Sequence, residues 1–392
     1  MAWETIDGNE AVIVAKIETT SGEDEDPTIG DDDAPWEEFE WTINPSIRKR
    51  RIISPHEPGS GHSLGLTTLG WSAKQTMQLR SITAGDDTDV PSFHLAARIS
   101  GWTWQGNATD KSHTYFLQRK DSTTATIKEH RAHNGANAYN TTELLGAMAD
   151  FEFSFEAGEP WMFDLVDGFA LTQDPSAMFG QGGAALNTSY VHQSAADVRA
   201  ESNVIRVYIP GAAPTLYGGG TLGTPDQTVD LVSLKFKGNR SIAQQKTVGG
   251  SFGVKRQRPD NSESPTVEFV LEQTGYDDFN PFALLMNGTK LYLGFDGTSP
   301  SNALVKARGA MYCQLTDVKD GGDVDGRRTW VCTADLVWVA DVADNDPAPG
   351  TSPSQAWAAG AAAPDDLGLF IDTNITPPNG ALAFIQVFDA TP

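Results

Sequence analysis

Cysteine is nearly absent. The chain of 392 residues has two, Cys313 and Cys332, which excludes a disulfide-stapled scaffold and leaves stability to hydrophobic cores and subunit contacts. Basic residues are scarce as well, 28 against 52 acidic ones for a net charge of −24, and this excludes a general binder of nucleic acid or of anionic membranes. No stretch approaches the ~20 apolar residues of a membrane-spanning helix, and Met1-Ala2-Trp3-Glu4 has no basic region leading into an apolar core. A chain of this kind is expected to be made soluble and then to stay so or to assemble. Glycine-rich phosphate loops preceding a helix are also missing.

What is present is turn-forming residues, 38 glycines and 22 prolines, between short apolar alternations. That combination predicts an all-β chain with minor helix. The clearest stretch runs from Gly146 to Leu165. Phe151, Phe153 and Phe155 share one face, while Glu152, Ser154 and Glu156 share the other. Ala157-Gly158-Glu159-Pro160 supplies a turn, and Trp161, Phe163 and Leu165 resume the apolar face. The pattern returns at Gly309-Ala310-Met311, with Met311, Cys313 and Leu315 on one face before a glycine turn and Trp330, Cys332, Ala334, Leu336 and Trp338 after it. A recurring supersecondary unit predicts tandem halves.

Each half reads as strand, acidic loop, helix, strand and hairpin. Helices are predicted at Pro91–Gly101 and around Pro281–Gly288, from a proline at the start, three-and-four apolar spacing and a glycine past the end. Strands are predicted at Ala11–Ile17, Glu38–Ile43, Ser72–Ile82, Thr228–Phe236 and Pro265–Glu272. The expected domains are residues 1–210 and 211–342, followed by a linker and C-terminal arm over 343–392 that ends in the apolar strand Ala381–Phe388. That strand has two possible fates, docking on its own domain or adding to a neighbour's sheet edge.

Several local patterns carry chemistry in principle. Gly61-His62-Ser63-Leu64-Gly65 fits the nucleophile-elbow pattern of serine hydrolases, which needs a sharp strand-to-helix turn, and prolines and glycines crowd its upstream side. His130 and His133 have two-ligand metal spacing without a third ligand nearby. Asp323-Val324-Asp325-Gly326 resembles part of a calcium loop but lacks the first and closing ligands, and reads better as a hairpin turn. The acidic run over residues 22–33 reads as a solvated loop. Arg48, Lys49, Arg50 and Arg51 form the one dense basic cluster and read as a surface loop making a subunit contact with such acidic loops, and Lys255-Arg256-Gln257-Arg258 also reads as a loop. Cys313 and Cys332 flank the Gly321-Gly322 turn, and buried thiols are the simpler reading over a bridge. No cofactor or metal is expected.

Residues Val90 to Trp102 after a strand and acidic loop, the Gly146–Leu165 hairpin, the run Tyr276-Asp277-Asp278-Phe279-Asn280-Pro281-Phe282-Ala283-Leu284-Leu285 and the hairpin at Gly309 together resemble the tail tube (major tail) proteins of long-tailed bacteriophages. The order of these motifs carries the resemblance. It implies two tandem β-barrel or β-sandwich domains, each with a short packed helix and a long hairpin, in trimeric rings that stack into a tube. It further implies a non-enzymatic virion protein made in the host cytoplasm and resident in the tail. Its partners would be itself, the tape measure protein and then DNA in the lumen, and the tail terminator and tip proteins, with no membrane. The segment 171–205 and the tail after 343 depart from the compact pattern. On this reading Glu152, Ser154, Glu156, Asp164 and Asp335 face the lumen, where acidic groups would let DNA slide; a solvated outer face is the competing reading. The alternatives are a serine esterase using Ser63, with His192 a possible partner, and a carbohydrate- or surface-binding β-sandwich of the virion.

Overall fold

The computed structural model describes residues 6–28, 32, 34–52, 59–79, 89–108, 111–117, 123–133, 139–171, 178–182, 196–200, 204–208, 227–246, 254–260, 263–299, 302–324, 326–337 and 383–389. Over these residues the chain is almost entirely antiparallel β-structure, with short helices at two places. The first half contains β1 (Ile6–Ile17), β2 (Glu38–Ile52), β3 (Gly59–Lys74), β4 (Gln78–Leu79), α1 (His94–Ile99), β5 (Trp102–Asn107), β6 (Ser112–Leu117), β7 (Ala125–His133), β8 (Tyr139–Glu156), β9 (Met162–Ala170) and β10 (Phe179–Gly182). After β11 (Ala196–Asp197) and β12 (Arg199–Ala200), the second half contains β13 (Val204–Tyr208), β14 (Gln227–Lys237), β15 (Ser241–Lys246), β16 (Val254–Asp260), β17 (Thr266–Glu272), α2 (Pro281–Met286), β18 (Lys290–Ser299), β19 (Asn302–Val324) and β20 (Arg327–Leu336). A final strand, β21 (Ala383–Asp389), lies far along the chain from β20.

In the second half the pairings form a circuit: β13 to β14, β14 to β17, β17 to β20, β20 to β19, β19 to β18, and β18 back to β13. One buried face can be followed all the way round. Ile205 lies opposite Val229, Leu234 opposite Phe269, Phe269 opposite Cys332, Ala334 opposite Leu315, Met311 opposite Leu293, and Leu293 opposite Val207. All of these side chains are buried, so the strands close into a barrel around an apolar core. The first half repeats the circuit through β1, β7, β8, β9, β3 and β2. Its last step is made just ahead of β2, where Ala34 N donates to Ile13 O and Ala15 N to Asp32 O, both at 2.9 Å. β13, which precedes the expected boundary at residue 210, pairs entirely within the second circuit.

Element for element, β1, β2, β3, α1, β7, β8, β9 and β10 correspond to β13, β14, β17, α2, β18, β19, β20 and β21. The hairpin β5–β6 has no counterpart among the described residues, and it covers α1: Phe93 lies 4.9 Å from Tyr115, and Trp102 lies 5.2 Å from Phe151, ring centre to ring centre. The helix ends follow from their flanking residues, except that α1 starts after Phe93 without a side-chain cap. Ser100 Oγ donates back to Ala96 O at 2.7 Å in α1. In α2 the Asn280 side chain accepts from Ala283 N at 2.9 Å, Pro281 follows, and Gly288 adopts φ +61° past the end.

Two long hairpins extend past the barrels. Residues 45–52 of β2 pair with 59–67 of β3, and β15 pairs with β16. The basic runs Arg48–Arg51 and Lys255–Arg258, expected as loops, therefore lie in strands, and β3 begins well before the expected Ser72. These arms reach beyond the barrel cores, so the apolar alternation that betrays a half-buried strand is missing from them. The C-terminal strand settles between both halves, pairing with β19 on one side and β6 on the other. Residues 80–88, 209–226 and 338–382 fall outside the described residues, and with them the end of the expected Ser72–Ile82 strand and most of its acidic loop, the expected boundary region, Trp338, the expected linker and the first two residues of the Ala381–Phe388 strand.

Where the halves meet, Phe153 and Phe155 of β8 and Trp161 pack on Phe295 of β18 at 5.5–5.7 Å between ring centres. Gly297 leaves room for Trp161, since a Cβ there would stand 2.6 Å from the indole. Gly297→Ala is expected to cost roughly 1–3 kcal/mol, measured by urea unfolding; an unchanged midpoint would show that the indole is not closely packed there.

Candidate functional surface

The hairpin β8–β9 does not end the first sheet. Ser233, Leu234, Lys235, Phe236 and Lys237 of β14 pair with Glu156, Phe155, Ser154, Phe153 and Glu152 along the free side of β8. A single sheet thus runs β2, β3, β9, β8, β14, β17, β20, β19, drawing four strands from each half. Its apolar face lines the two cores and its other face is polar.

The residues expected on a lumen come together on that polar face. One row of directly opposed residues crosses it: Asp164, Glu152, Lys237, Thr266, Asp335 and Gln314. Ser154 and Glu156 occupy the parallel rows, opposite Lys235 and Ser233. Lysines therefore interleave with the carboxylates. Lys235 Nζ lies 2.5 Å from Glu152 Oε1, and Lys237 Nζ lies 4.0 Å from Oε2. Burial raises the Asp164 carboxyl above the usual aspartate range, and the neighbouring Glu152 adds to this, against the Gln75 N–H and Lys74, which lower it. The face of Lys235 and Lys237 was readable from their alternation with Leu234 and Phe236 in a predicted strand. Their partnership with β8 was not, because strand pairing leaves no local signal.

The sheet ends on two edges. Among the described residues, the outer side of β2 over 38–44 and that of β19 over 315–324 have no backbone partner. Both are counterparts of paired strands, since β2 corresponds to β14 and β19 to β8. Beside the β2 edge a groove of about 580 Å³ opens at the end of the first barrel, lined by Trp41, Arg131, Asn140, Thr142 and Phe179. Trp41 Nε1 donates to Glu129 Oε2 at 2.8 Å, and Arg131 donates to Glu129 Oε1 at 2.8 Å.

The start of the acidic loop is held against β7 and β8. Glu18 is buried and accepts four hydrogen bonds, from Thr124 Oγ1 at 2.6 Å, Thr126 Oγ1 at 3.1 Å, Gly22 N at 2.7 Å and Gly146 N at 2.7 Å. Gly146 has φ +62° where β8 exchanges β7 for β9, so this carboxylate fixes the bend that lets one strand serve two sheets. Lys128 Nζ lies 2.9 Å from both Asp24 and Asp26, and 3.4 Å from Glu143. Burial opposes its charge, but the bonds to Asp24 and Asp26 outweigh burial and raise its pKa, while the bond from Lys128 lowers that of Asp26. Sequence reading missed Glu18, which sits in an unremarkable position after β1.

The remaining candidates are placed as follows. Ser63 lies inside β3 opposite Arg48, and β3 continues to Lys74 without a helix, so the elbow geometry is not present; His192 is outside the described residues. The Arg48, Lys49, Arg50 and Arg51 backbone runs along the β2 arm opposite Ser63, His62, Gly61 and Ser60. His130 Nδ1 lies 2.9 Å from Thr141 Oγ1, and no group of three or more potential metal ligands occurs among the described residues. Asp323 and Val324 end β19, and Gly326 forms the expected turn with φ +80°. Cys313 and Cys332 are free and buried, opposite Leu336 and Val318 and not each other; burial pushes the Cys332 thiol up to about 12. No helix among the described residues is long and apolar enough to cross a membrane. Comparison with protein-family models finds no match, and neither does comparison with curated proteins.

Glu18→Ala strips four donors of a buried acceptor and is expected to cost about 3 kcal/mol, measured by chemical unfolding; a loss within error of zero would remove its role at the bend. The raised carboxyl of Asp164 means that the folded chain holds this proton more tightly than the unfolded one, so stability falls as pH rises through the window just above the ordinary value of ~3.9. Asp164→Asn is therefore expected to be the more stable protein at neutral pH, with the difference closing in acid, when melting curves are compared across pH.

Proposed function

We propose that this chain is a tail tube subunit of a long-tailed phage, a structural and non-enzymatic virion protein whose copies join into rings that stack around a channel for DNA. The observation that carries the proposal is the sheet whose edges at β2 and β19 have no backbone partner among the described residues, while their counterparts β14 and β8 are joined within the chain. Repeating that junction between copies, β19 of one to β2 of the next, extends the sheet in one rotational sense and closes it. Closure removes two edges that would otherwise invite aggregation. Three tandem copies would give the ring that the resemblance implies, with the polar rows turned to the channel and the arms of β2–β3 and β15–β16, basic runs included, available to a neighbouring ring.

The charge pattern supports passage over binding. A wall with carboxylates set between lysines offers no continuous cationic track to the phosphates, and the many-contact counterion release that makes DNA binding strong is not available to it. The tape measure protein would occupy the channel before DNA, with terminator and tip proteins capping the tube. An esterase built on Ser63 would need an elbow that β3 does not form.

Negative-stain microscopy of the purified protein is expected to show rings or tubes with an axial channel; compact monomers at all concentrations would overturn the proposal and favour a surface-binding module. Glu156→Lys with Asp335→Lys, which spares the Lys235–Glu152 pair, is expected to leave tubes intact and slow genome release severalfold by adding phosphate contacts. Unchanged release kinetics would remove the polar face from the channel.

A further inference from the structure

The groove at the end of the first barrel has a filled counterpart in the second. There the hairpin β8–β9 covers the barrel's end: Phe155 lies opposite Leu234 of β14, Phe153 stacks on Phe295 of β18, and Trp161 lies over Gly297. The corresponding elements of the first barrel are β2, β7, β8 and β10, and these line the open groove through Trp41, Arg131, Asn140, Thr142 and Phe179. The hairpin corresponding to β8–β9 is β19–β20, which stands at the opposite end of the same sheet and cannot reach this groove within one chain.

The chemistry of the two hairpins differs as the two grooves differ. Phe153, Phe155 and Trp161 meet an apolar surface. In β19 the bulges between Leu315 and Asp317 and between Asp320 and Gly322 bring Asp320, opposite Trp330, and Asp323, opposite Arg328, onto the core-side face near the tip, where both are exposed. The open groove presents Arg131, its side chain 45% exposed and paired on one side with Glu129 at 2.8 Å, with Asn140 and Thr142 beside it. Apolar meets apolar within the chain, and a carboxylate-bearing tip is matched by a groove whose half-exposed guanidinium, with five N–H donors, spends one on Glu129.

We infer that the groove of Trp41, Arg131 and Phe179 receives the β19–β20 hairpin tip of a second copy of this chain, with Asp320 and Asp323 directed to Arg131 and the polar groups around it. This rests on the edge-to-edge association proposed above and names the contact that decides which edges meet. Charge complementarity of this kind selects partner and register more than it adds affinity. It also makes the contact heterologous, so each copy offers one tip and one groove.

The test pairs an assembly assay with a cross-link. Asp323→Lys alters an exposed position and spares the Asp320 carboxylate, which accepts from Gly322 N at 3.0 Å in the bulge, so the monomer's melting temperature is expected to hold while the concentration needed for rings rises at least about tenfold, as for a loss of ~1.4 kcal/mol or more. Separately, Gly180→Cys, where a Cβ meets nothing within 4 Å, and Asp323→Cys in one chain are expected to join copies through a short bismaleimide. Neither single variant should do so, because Cys313 and Cys332 are buried. Wild-type rings, with the lysine variant assembling equally well and no cross-link, would overturn the docking while leaving the tube reading in place. Cross-linked copies without rings would support the docking and count against the tube. A wild type that stays monomeric and uncross-linked would overturn both.

Discussion

Five residue pairs between β8 and β14 hold the molecule to its architecture. Without them the halves would still be bridged by β21, which pairs with β19 and β6, but the edges of β8 and β14 would be left open. With them, the polar faces of both halves become one surface and Phe153, Phe155 and Trp161 are carried into the second barrel's end. The bend at Gly146, secured by Glu18, is the condition for this junction. It releases β8 from β7 so that the strand's later half can hold β9 on one side and β14 on the other.

Much of the fold was legible from residue order. The Phe151–Phe155 alternation, the turn at Gly158 and the return of the hairpin after Gly309 all have local causes, and both helices follow from proline, apolar spacing and glycine. What stayed hidden is of two kinds. Strands of the projecting arms, including Arg48–Arg51 and Lys255–Arg258, reach beyond the barrel cores and so carry no period-two signature. Pairings such as Glu152 with Lys237 join distant segments through backbone groups that every residue shares, so no side-chain pattern announces them. The surface candidates were read as single faces of hairpins; that Glu152 and Asp335 share one row depended on the strands between them.

The halves have also diverged where the chain gives them different surroundings. α1 is covered by β5–β6 and its Ala96, Ala97 and Ile99 are buried. α2 has no such hairpin after it, and Met286 stands 86% exposed, with Tyr276 at 62%. An insertion in one copy of a repeat has changed which apolar surface the fold itself covers. The C-terminal strand partly offsets the asymmetry by pairing into both halves.

The covalent link between the barrels has a consequence for dilution. The β8–β14 edges are tethered, so they meet at an effective concentration set by the chain and stay joined however little protein is present. Edges on β2 and β19 have no such tether, so a contact between copies there would depend on the amount of protein made. On the ring arrangement proposed above, fusing the repeats would divide one kind of contact into a part that is always formed and a part whose onset is a sharp function of supply.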